Sequence, residues 1–404
     1  MKRIVLKFGG TSVGSIEKII NAAKIVKKRQ EEGNEVIVVV SAMSGTTNDL
    51  IDRSKKISNN FNKTELDVLM SSGEQISSSL LAGAIIELGL EARSWMGWQI
   101  PILTEGDHTS SKIIKIKTEE ILNFLSRGGI PVVAGFQGIS KENRVSTIGR
   151  GGSDTSALMV AKFFKTDSCE IYTDVEGIFT TDPFINSKAK KIEKISYEEM
   201  LEMSSLGAKV MQPYAVQTAM TNNIPVHVRS TFLKGSGTYI LPDDEIDNKK
   251  IVTGVTYSKN DAKVTLLNVK DKPGVAANIF EPLGKSNINV DMVVQNISSD
   301  HKETDVTFTI KREDLDKKIK IIEKNKENID YKKLIHDDKV SKVSIIGAGM
   351  IVHPGVTYKM FRSLAEESIN ILVISTSEIK ISVLIDENMT QRAIKALHKT
   401  FELD

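Results

Sequence analysis

The chain has 404 residues, a formal net charge of +2 and no basic block interleaved with aromatic residues; this predicts two or three domains and argues against a nucleic-acid-binding protein. One cysteine, Cys169, excludes an internal disulfide framework and a clustered thiolate metal site and is typical of a reducing compartment, so we expect the cytoplasm. The longest apolar run, residues 36–43, is far too short to span a bilayer.

Strand and helix patterns alternate from residue 1 to about residue 240. The β-branched runs "RIVLKF", "EVIVVVS", "IPVVAGF" and "CEIYTDV" predict strands, and amphipathic stretches at 16–31, 74–88 and 154–165 predict helices. This alternation indicates an α/β domain with a largely parallel sheet under helices. Ligands are then expected at the carboxyl ends of the strands.

The C-terminal part contains an internal repeat. A polar stretch at residues 242–250 predicts a linker, and the segments that begin at Pro273 and Pro354 match without a gap at an offset of 81 residues. Each copy shows a strand, a Pro-Gly turn, a helix, further strands and a last helix, which indicates a βαββαβ order. The predicted domains are 1–243, 254–335 and 340–404.

The first polar motif is "KFGGTSVGS" at residues 7–15, between a strand and a helix. It is not a P-loop, because Ser15 stands where that motif needs lysine, and it contains no G-x-G-x-x-G fingerprint. Gly9 and Gly10 let the backbone approach an anion, the next helix offers free N–H groups, and Lys7 adds a charge, so a phosphate chain fits there. A strand-to-helix turn that needs glycine at positive φ is the equally open alternative.

The second motif, "GRGGSDTS" at residues 149–156, surrounds Arg150 with glycines. Ser153 as a helix cap and Asp154 in the first turn would explain the helix start by themselves. A cap does not require the arginine, which can bind a carboxylate in bidentate fashion. Asp154 could also hold Lys7 in position at the same strand ends.

Other polar groups follow predicted strands or open predicted helices. Thr47 is either a helix cap or a ligand contact, and Glu74 either closes a capping box with Ser71 or has a functional role. The paired Thr-Asp motif at residues 171–184 suits ribose hydroxyls as well as turns. Lys209 at a predicted helix start opposes the helix dipole, which favours an anionic or nucleotide neighbour.

Six segments together resemble the amino-acid kinase domain of the aspartate kinase family, in order and spacing: "KFGGTSV", "VVSAMSGTTNDL", "SSGEQIS", "GRGGSDT", "YTDVEGIFTTDP" and "GAKVMQP". The repeat, with "PGVAANIF" and "HPGVT", is similar to the tandem ACT domains of that family. The resemblance implies the amino-acid kinase fold, in which helices sandwich a parallel-rich central sheet, followed by two ferredoxin-like βαββαβ ACT domains.

The resemblance also implies an activity. The family transfers the γ-phosphoryl group of ATP, with Mg²⁺, to the β-carboxylate of L-aspartate, the first step toward lysine, methionine and threonine. Feedback inhibition by lysine, threonine or both, and a homo-oligomer formed through the ACT domains, are expected with it.

Candidate site residues follow from the same resemblance, and no protein ligand of a metal is among them. The catalytic residues are Lys7, Arg150 and Asp154. The residues expected at L-aspartate are Ser41, Thr47, Glu74, Arg150, Gly151, Gly152 and Ser153. Those expected at ATP are Lys7, Gly9, Gly10, Thr11, Thr173, Asp174, Phe179, Thr181, Asp182 and Lys209. Those expected at an effector are Asp271, Gly274, Ala276, Asn289, Gln295, Val356, Asn370 and Ile371.

The chemistry of the acceptor agrees with this set. A carboxylate with a pKa near 4 is already ionised at pH 7, so no general base is required, and neither His108 nor His227 needs a catalytic role. Positioning and charge neutralisation suffice. Selectivity for an α-amino acid follows if Arg150 binds a substrate carboxylate and Glu74 accepts the ammonium group.

Two departures from the family pattern stand out. Phe184 occupies the place after "TTDP" where similar enzymes commonly carry an arginine that would face nucleotide phosphates. Ile351 and Val352 replace the Arg-Ser pair of "GMRSHPG" in the second repeat, which predicts an altered effector contact or interface.

Two other functions fit parts of the sequence. One is a kinase of the same fold that acts on acetylglutamate, glutamate or a nucleotide, and the repeat and "SSGEQIS" argue against it. The other is an amino-acid sensor that binds nucleotide without turnover, and the presence of Lys7, Arg150 and Asp154 argues against it.

Overall fold

The computed structural model describes residues 1–149, 151–207, 210–247, 250–286, 288–297, 303–313 and 315–404. Two candidate site residues, Arg150 and Lys209, lie outside the described residues. The chain divides into two compact units. The first holds Met1–Ile178, Lys191–Ser205 and the described residues of 209–248, and the second holds Phe179–Lys190 and the described residues of 206–208 and 249–404.

The first unit alternates strands and helices. Its strands are β1 Arg3–Phe8, β2 Glu35–Val40, β3 Ala92–Trp95, β4 Ile102–Glu105, β5 Lys112–Ile116, β6 Ile130–Ala134, β7 Gln137–Ile139, β8 Val145–Thr147, β9 Ser168–Thr173, β10 Lys194–Ser196, β11 Val226–Ser230 and β12 Thr238–Leu241. Its helices are α1 Ile16–Glu31, α2 Thr46–Ile57, α3 Lys63–Glu87, α4 Glu119–Leu125, α5 Gly152–Phe163, α6 Tyr197–Ser205 and α7 Pro213–Thr221. None of the described helices is long and apolar enough to cross a membrane.

The central sheet has the order β10-β12-β11-β9-β1-β2-β6-β3, and every pair is parallel except β11 with β12. Helices cover both of its faces. Leu6 and Val38 share an apolar cluster with Ile19 of α1 and Leu81 of α3, whereas α5 contacts β1, β2 and β9. Burial on both sides explains why β1 and β2 are continuous apolar runs. The predicted parallel-rich sheet between helices is confirmed.

The helix starts near the predicted site differ from the sequence patterns. Helix α3 begins at Lys63, far upstream of the predicted start at residue 74, because the Asn62 side chain accepts hydrogen bonds from the N–H groups of Thr64 and Glu65. Glu74 therefore lies in mid-helix, and its capping-box interpretation is wrong.

Glycines, not hydroxyl side chains, cap the two other helices at the site. Gly45 at φ 86° precedes α2, and Gly151 at φ 71° precedes α5. Both values lie in the left-handed region that favours glycine. The cap interpretations of Thr47 and Ser153 are therefore wrong, and both side chains are available for other contacts.

The second unit forms one antiparallel sheet in the order β14-β15-β13-β16-β18-β17. Its strands are β13 Gly254–Lys270, β14 Val290–Ile297, β15 Glu303–Lys311, β16 Lys333–Ile346, β17 Val373–Thr376 and β18 Lys380–Asp386. Its helices are α8 Val275–Lys285, α9 Leu315–Lys324, α10 Lys326–Ile329, α11 Val356–Glu366 and α12 Thr390–Thr400.

The two copies of the repeat share strands. Strand β16 passes through both, and residues 254–258 of β13 pair with residues 342–346 of β16. Val252 and Val255 belong to the apolar core of the second copy, together with Val383 and Leu397. The second copy thus obtains its fourth strand from residues 254–258, which come before the strands of the first copy in the chain. Reading each copy in chain order does not reveal this arrangement.

Val255→Ala tests this shared strand. Val255 is fully buried in the core of the second copy, and deleting its methyl groups should cost roughly 1 to 3 kcal/mol. We expect faster amide exchange in β18, measured by hydrogen–deuterium exchange mass spectrometry, with β15 unchanged. Val293→Ala, at a side chain that is 52% exposed, is the control and should change neither strand. Faster amide exchange in β15 alone would place Val255 in the core of the first copy.

Candidate active site

A cavity of about 1100 Å³ opens at the carboxyl ends of β1 and β2 within the first unit. Parallel strands end at the same sheet edge, so residues far apart in sequence meet there. The cavity brings together nine of the predicted site residues: Lys7, Gly10, Ser41, Thr47, Glu74, Gly151, Gly152, Ser153 and Asp154.

Lys7 and Asp154 form a buried ion pair at the cavity wall. The Nζ of Lys7 lies 2.6 Å from Oδ1 of Asp154, although the two groups are not aligned as a hydrogen bond, and each residue is 8% exposed. Lys7 comes from the end of β1 and Asp154 from the first turn of α5. A buried cation needs a partner, so this contact holds the ammonium group at the strand ends.

The glycine pair after β1 allows its backbone to pack closely against the segment that follows β2. Gly9 has φ −70°, and Gly10 is not in the left-handed region either, so the positive-φ interpretation is wrong for both. A Cβ atom on Gly10 would lie 2.8 Å from the carbonyl oxygen of Ala42. The chain then forms a 3-10 turn, Gly10–Val13, before Ser15 caps α1.

Glu74 reaches the cavity from α3. It is 3% exposed, and its Oε1 accepts a hydrogen bond of 3.0 Å from the N–H of Ala42, whereas its Oε2 has no hydrogen-bond partner among the described residues. Burial raises the pKa of Glu74 to about 7, against the opposing effect of backbone hydrogen bonds. One carboxylate oxygen is thus free to accept a ligand donor.

Close packing brings α3 to the end of β2. A Cβ atom on Gly73 would lie 2.7 Å from Cβ of Ala42, so only glycine permits this approach. One turn further on, the Ser77 hydroxyl donates to the carbonyl oxygen of Ser41 at 2.7 Å. These contacts set the position of Glu74 relative to the strand end.

The residues predicted at ATP are divided between the two units. Thr173 ends β9, the neighbour of β1, and its hydroxyl donates to Asp174 at 3.1 Å. Phe179, Thr181 and Asp182 belong to the segment Phe179–Lys190 of the second unit. None of these five is among the described residues that line the cavity, and neither are Gly9 and Thr11.

Within the second unit, the segment Phe179–Lys190 makes side-chain contacts. The Tyr257 hydroxyl lies 3.2 Å from Oδ2 of Asp182, and the Thr180 hydroxyl lies 2.8 Å from Nε2 of the fully buried His398. Phe184, which replaces the usual arginine, is 99% exposed. The sequence contains no local signal for these contacts, because the partners lie more than 70 residues away.

The residues predicted at an effector lie in two kinds of place: Asp271, Gly274, Ala276 and Val356 at or just before the starts of α8 and α11, and Asn289, Gln295, Asn370 and Ile371 before or within β14 and β17. Gly274 and Gly355 precede these helices with φ 93° and 95°, so both copies use the same left-handed turn. Val356 is buried in the core of the second copy, and Ile371 is partly buried against that core. The other predicted residues are exposed: Asp271, Gly274, Ala276, Asn289, Gln295 and Asn370. Ile351 and Val352 are exposed as well.

Sequence reasoning missed Thr109 and Met70, which also line the cavity. Thr109 adopts φ 70°, which is rare for a β-branched residue. No pattern of neighbouring residues marks such a position, so the sequence offered no signal for it.

The raised pKa of Glu74 predicts a pH-dependent stability. The native carboxyl binds its proton more tightly than the unfolded one, so ionisation destabilises the ligand-free native state as pH rises from about 4.5 to 7, by about 3 kcal/mol. Relative to Glu74→Gln, the wild type should lose thermal stability across this interval. Glu87→Gln, at an exposed carboxylate of the same helix, should follow the wild type. A constant difference in Tm between wild type and Glu74→Gln would contradict the assignment.

Comparison with known proteins identifies the family. Residues 2–230 match the amino acid kinase family, and residues 267–325 and 343–401 match the ACT domain. The aspartate kinase of Pseudomonas putida is 47% identical, with 100% of this chain and 98% of that protein covered, and aspartokinase 2 of Bacillus subtilis is 42% identical with the same coverage. The crystal structure of E. coli aspartokinase III in complex with aspartate and ADP has a TM-score of 0.83 over 99% of both chains, at 24% identity, which shows the shared fold. The chain therefore belongs to the aspartate kinase family, with an amino-acid kinase domain followed by tandem ACT domains.

Proposed function

We propose that this chain transfers the γ-phosphoryl group of ATP to the β-carboxylate of L-aspartate, giving 4-phospho-L-aspartate. The observation that carries the proposal is one cavity with a buried cation, Lys7, and a buried carboxylate with an unpartnered oxygen, Glu74. A cation suits the transferred phosphate, and a free carboxylate oxygen suits the ammonium group of an amino acid. The curated relatives named aspartate kinase, at 47% identity over the full length, support L-aspartate as the acceptor.

The phosphate side is organised by Lys7. Its ammonium group neutralises charge on the transferring phosphoryl group, while Asp154 holds it at the strand ends. Gly10 lines the same cavity, so its backbone is accessible to phosphate oxygens there. The acceptor carboxylate is ionised at pH 7, so the residues need only align it with the phosphorus and remove water.

The acceptor side is organised by Glu74. Its Oε2 accepts the α-ammonium group, and a hydroxyl or backbone N–H of Ser41, Thr47, Gly151, Gly152 or Ser153 can bind a substrate carboxylate. Arg150, outside the described residues, retains its role as a carboxylate partner through the family resemblance alone. These groups select an amino acid with an acidic side chain.

ATP is proposed to bind with Mg²⁺. Among the described residues no group of three or more His, Cys, Asp and Glu side chains is placed to hold a metal ion. In nucleotide sites Mg²⁺ is usually carried by phosphate oxygens and water, and it neutralises phosphate charge there. Gly9, Thr11, Thr173, Asp174, Phe179, Thr181, Asp182 and Lys209 remain candidate ATP contacts.

Regulation is proposed for the ACT domains. Lysine, threonine or both would bind near the exposed starts of α8 and α11, where a left-handed glycine opens each helix, and would favour one arrangement of the enzyme over another. A homo-oligomer through these domains and a cytoplasmic location are further parts of the proposal.

Lys7→Met tests the phosphate side. Removing the buried ammonium group should lower kcat about 10²- to 10³-fold, because charge on the phosphoryl group is no longer neutralised. ADP release with L-aspartate and MgATP measures the effect, and binding of lysine or threonine should be unchanged. Lys24→Met, at an exposed lysine of α1, is the control. Unchanged turnover in Lys7→Met would remove Lys7 from catalysis, and joint loss of effector binding would contradict separate sites.

Parallel assays with glutamate, acetylglutamate and a nucleoside monophosphate test the rival acceptors.

Glu74 also predicts proton release on L-aspartate binding. A carboxyl group with a pKa of about 7 is about half protonated at pH 7, and an ammonium partner ionises it. Calorimetric titrations in buffers of different ionisation enthalpy should show release of roughly half a proton. Glu74→Gln should abolish this release, and Glu87→Gln should retain it. A binding enthalpy independent of buffer would contradict this change of protonation at Glu74.

A further inference from the structure

A second carboxylate on α3 is fully buried away from the reacting groups. Asp67 has no exposed side-chain surface and lies two helical turns before Glu74, on the same helix face. Its oxygens accept hydrogen bonds from Nδ1 of His108 at 2.6 Å, from the N–H of Thr109 at 3.0 and 3.2 Å, and from the Thr147 hydroxyl at 2.5 Å. A buried carboxylate is costly unless it is paired, and here every donor comes from outside its own helix.

The donors lie on two segments that reach the cavity. His108 and Thr109 belong to the loop between β4 and β5, and Thr147 ends β8. The same loop is fastened to β8 by the N–H of Ser111, which donates to the carbonyl oxygen of Thr147 at 3.0 Å. Asp67 is therefore the point where the helix, the loop and the end of β8 are joined.

Thr109 is held in an unfavourable conformation at the cavity wall. Its φ of 70° costs a β-branched residue on the order of 1–3 kcal/mol, and such strain persists only where surrounding contacts enforce it. The two hydrogen bonds from its N–H to Asp67 are such contacts.

The loop also touches the glycine-rich segment of the acceptor site. A Cβ atom on Gly149 would lie 3.7 Å from the carbonyl oxygen of Thr109 and 3.9 Å from Cα of Ser110. Gly149 lines the cavity and leads to Gly151, Gly152 and Ser153. A shift of the loop would therefore change the wall that the proposed function assigns to the acceptor.

We infer that Asp67 is a positioning residue for the acceptor. It fixes Thr109 directly, and through Thr147 it fixes the start of the glycine-rich segment. His108 donates the remaining side-chain hydrogen bond to Asp67. The inference rests on the proposed function, because it assigns this wall to L-aspartate. Asp67 and His108 do not touch the reacting atoms, so their loss should impair acceptor binding more than nucleotide binding.

The test uses matched variants of the full chain in the ADP-release assay. Asp67→Asn keeps the size of the side chain but replaces one acceptor by a donor, and His108→Ala removes the donor. Both should raise the KM for L-aspartate by about tenfold or more, with the KM for ATP within about twofold of the wild type. His108→Asn, whose amide nitrogen can take the place of Nδ1, should restore a KM near that of the wild type. Asp107→Asn, the same chemical change at an exposed carboxylate of the same loop, is the control and should leave all constants unchanged.

The outcomes separate the inference from the proposed function. A wild type that releases no ADP with L-aspartate refutes the proposed function. If the wild type is active, three results would refute the inference. His108→Ala could leave the KM for L-aspartate unchanged, it could raise the KM for L-aspartate and the KM for ATP equally, or His108→Asn could show the same defect as His108→Ala. If Asp67→Asn does not fold, the two His108 variants decide the matter.

Discussion

The site depends on the buried pairing of Lys7 with Asp154. An ammonium group at 8% exposure is stable only beside a counter-charge, and the partner comes from a helix more than 140 residues further along the chain. The pair can form because β1 and β9 are parallel neighbours and α5 contacts both strands. Strand order in the sheet therefore decides where the cation stands, and the remaining groups of the cavity are arranged around it.

Helix α3 supplies the second organising element. Its buried face carries Asp67, Glu74 and Ser77 at helical spacing, and each contacts a different part of the cavity wall. Gly73 allows this face to approach Ala42, so the helix acts as a rigid support. The same cavity thus holds a paired cation and a carboxylate of which one oxygen has no hydrogen-bond partner among the described residues. The cation suits a phosphate, and the carboxylate suits the ammonium group of an amino acid.

In the second unit, the strands do not belong to the two copies of the repeat in chain order. Residues 254–258 serve the core of the second copy, whereas the rest of β13 serves the first. The segment Phe179–Lys190, which the sequence places among the nucleotide contacts, packs in this unit as well and meets Tyr257 and His398. The unit that carries the predicted effector positions thus also carries part of the predicted nucleotide site.

The amino-acid sequence was enough to predict the alternation of strands and helices, the parallel-rich sheet, the repeat and the polar motifs after β1, β2 and β8. These features depend on neighbouring residues and on strand ends that meet at one edge of the sheet. It also indicated Lys7, Glu74 and Asp154, but it left helix capping open as the alternative role of Thr47, of Ser71 with Glu74 and of Ser153. The Asn62 side chain caps α3 instead, and left-handed glycines precede α2 and α5. The folded structure was needed to reveal the burial of Glu74, the left-handed conformation of Thr109, the hydrogen bonds at Asp67 and the sharing of β13 between the two copies of the repeat. Each of these depends on groups that are distant in the chain and meet only after the sheet has formed, so no local pattern encodes them.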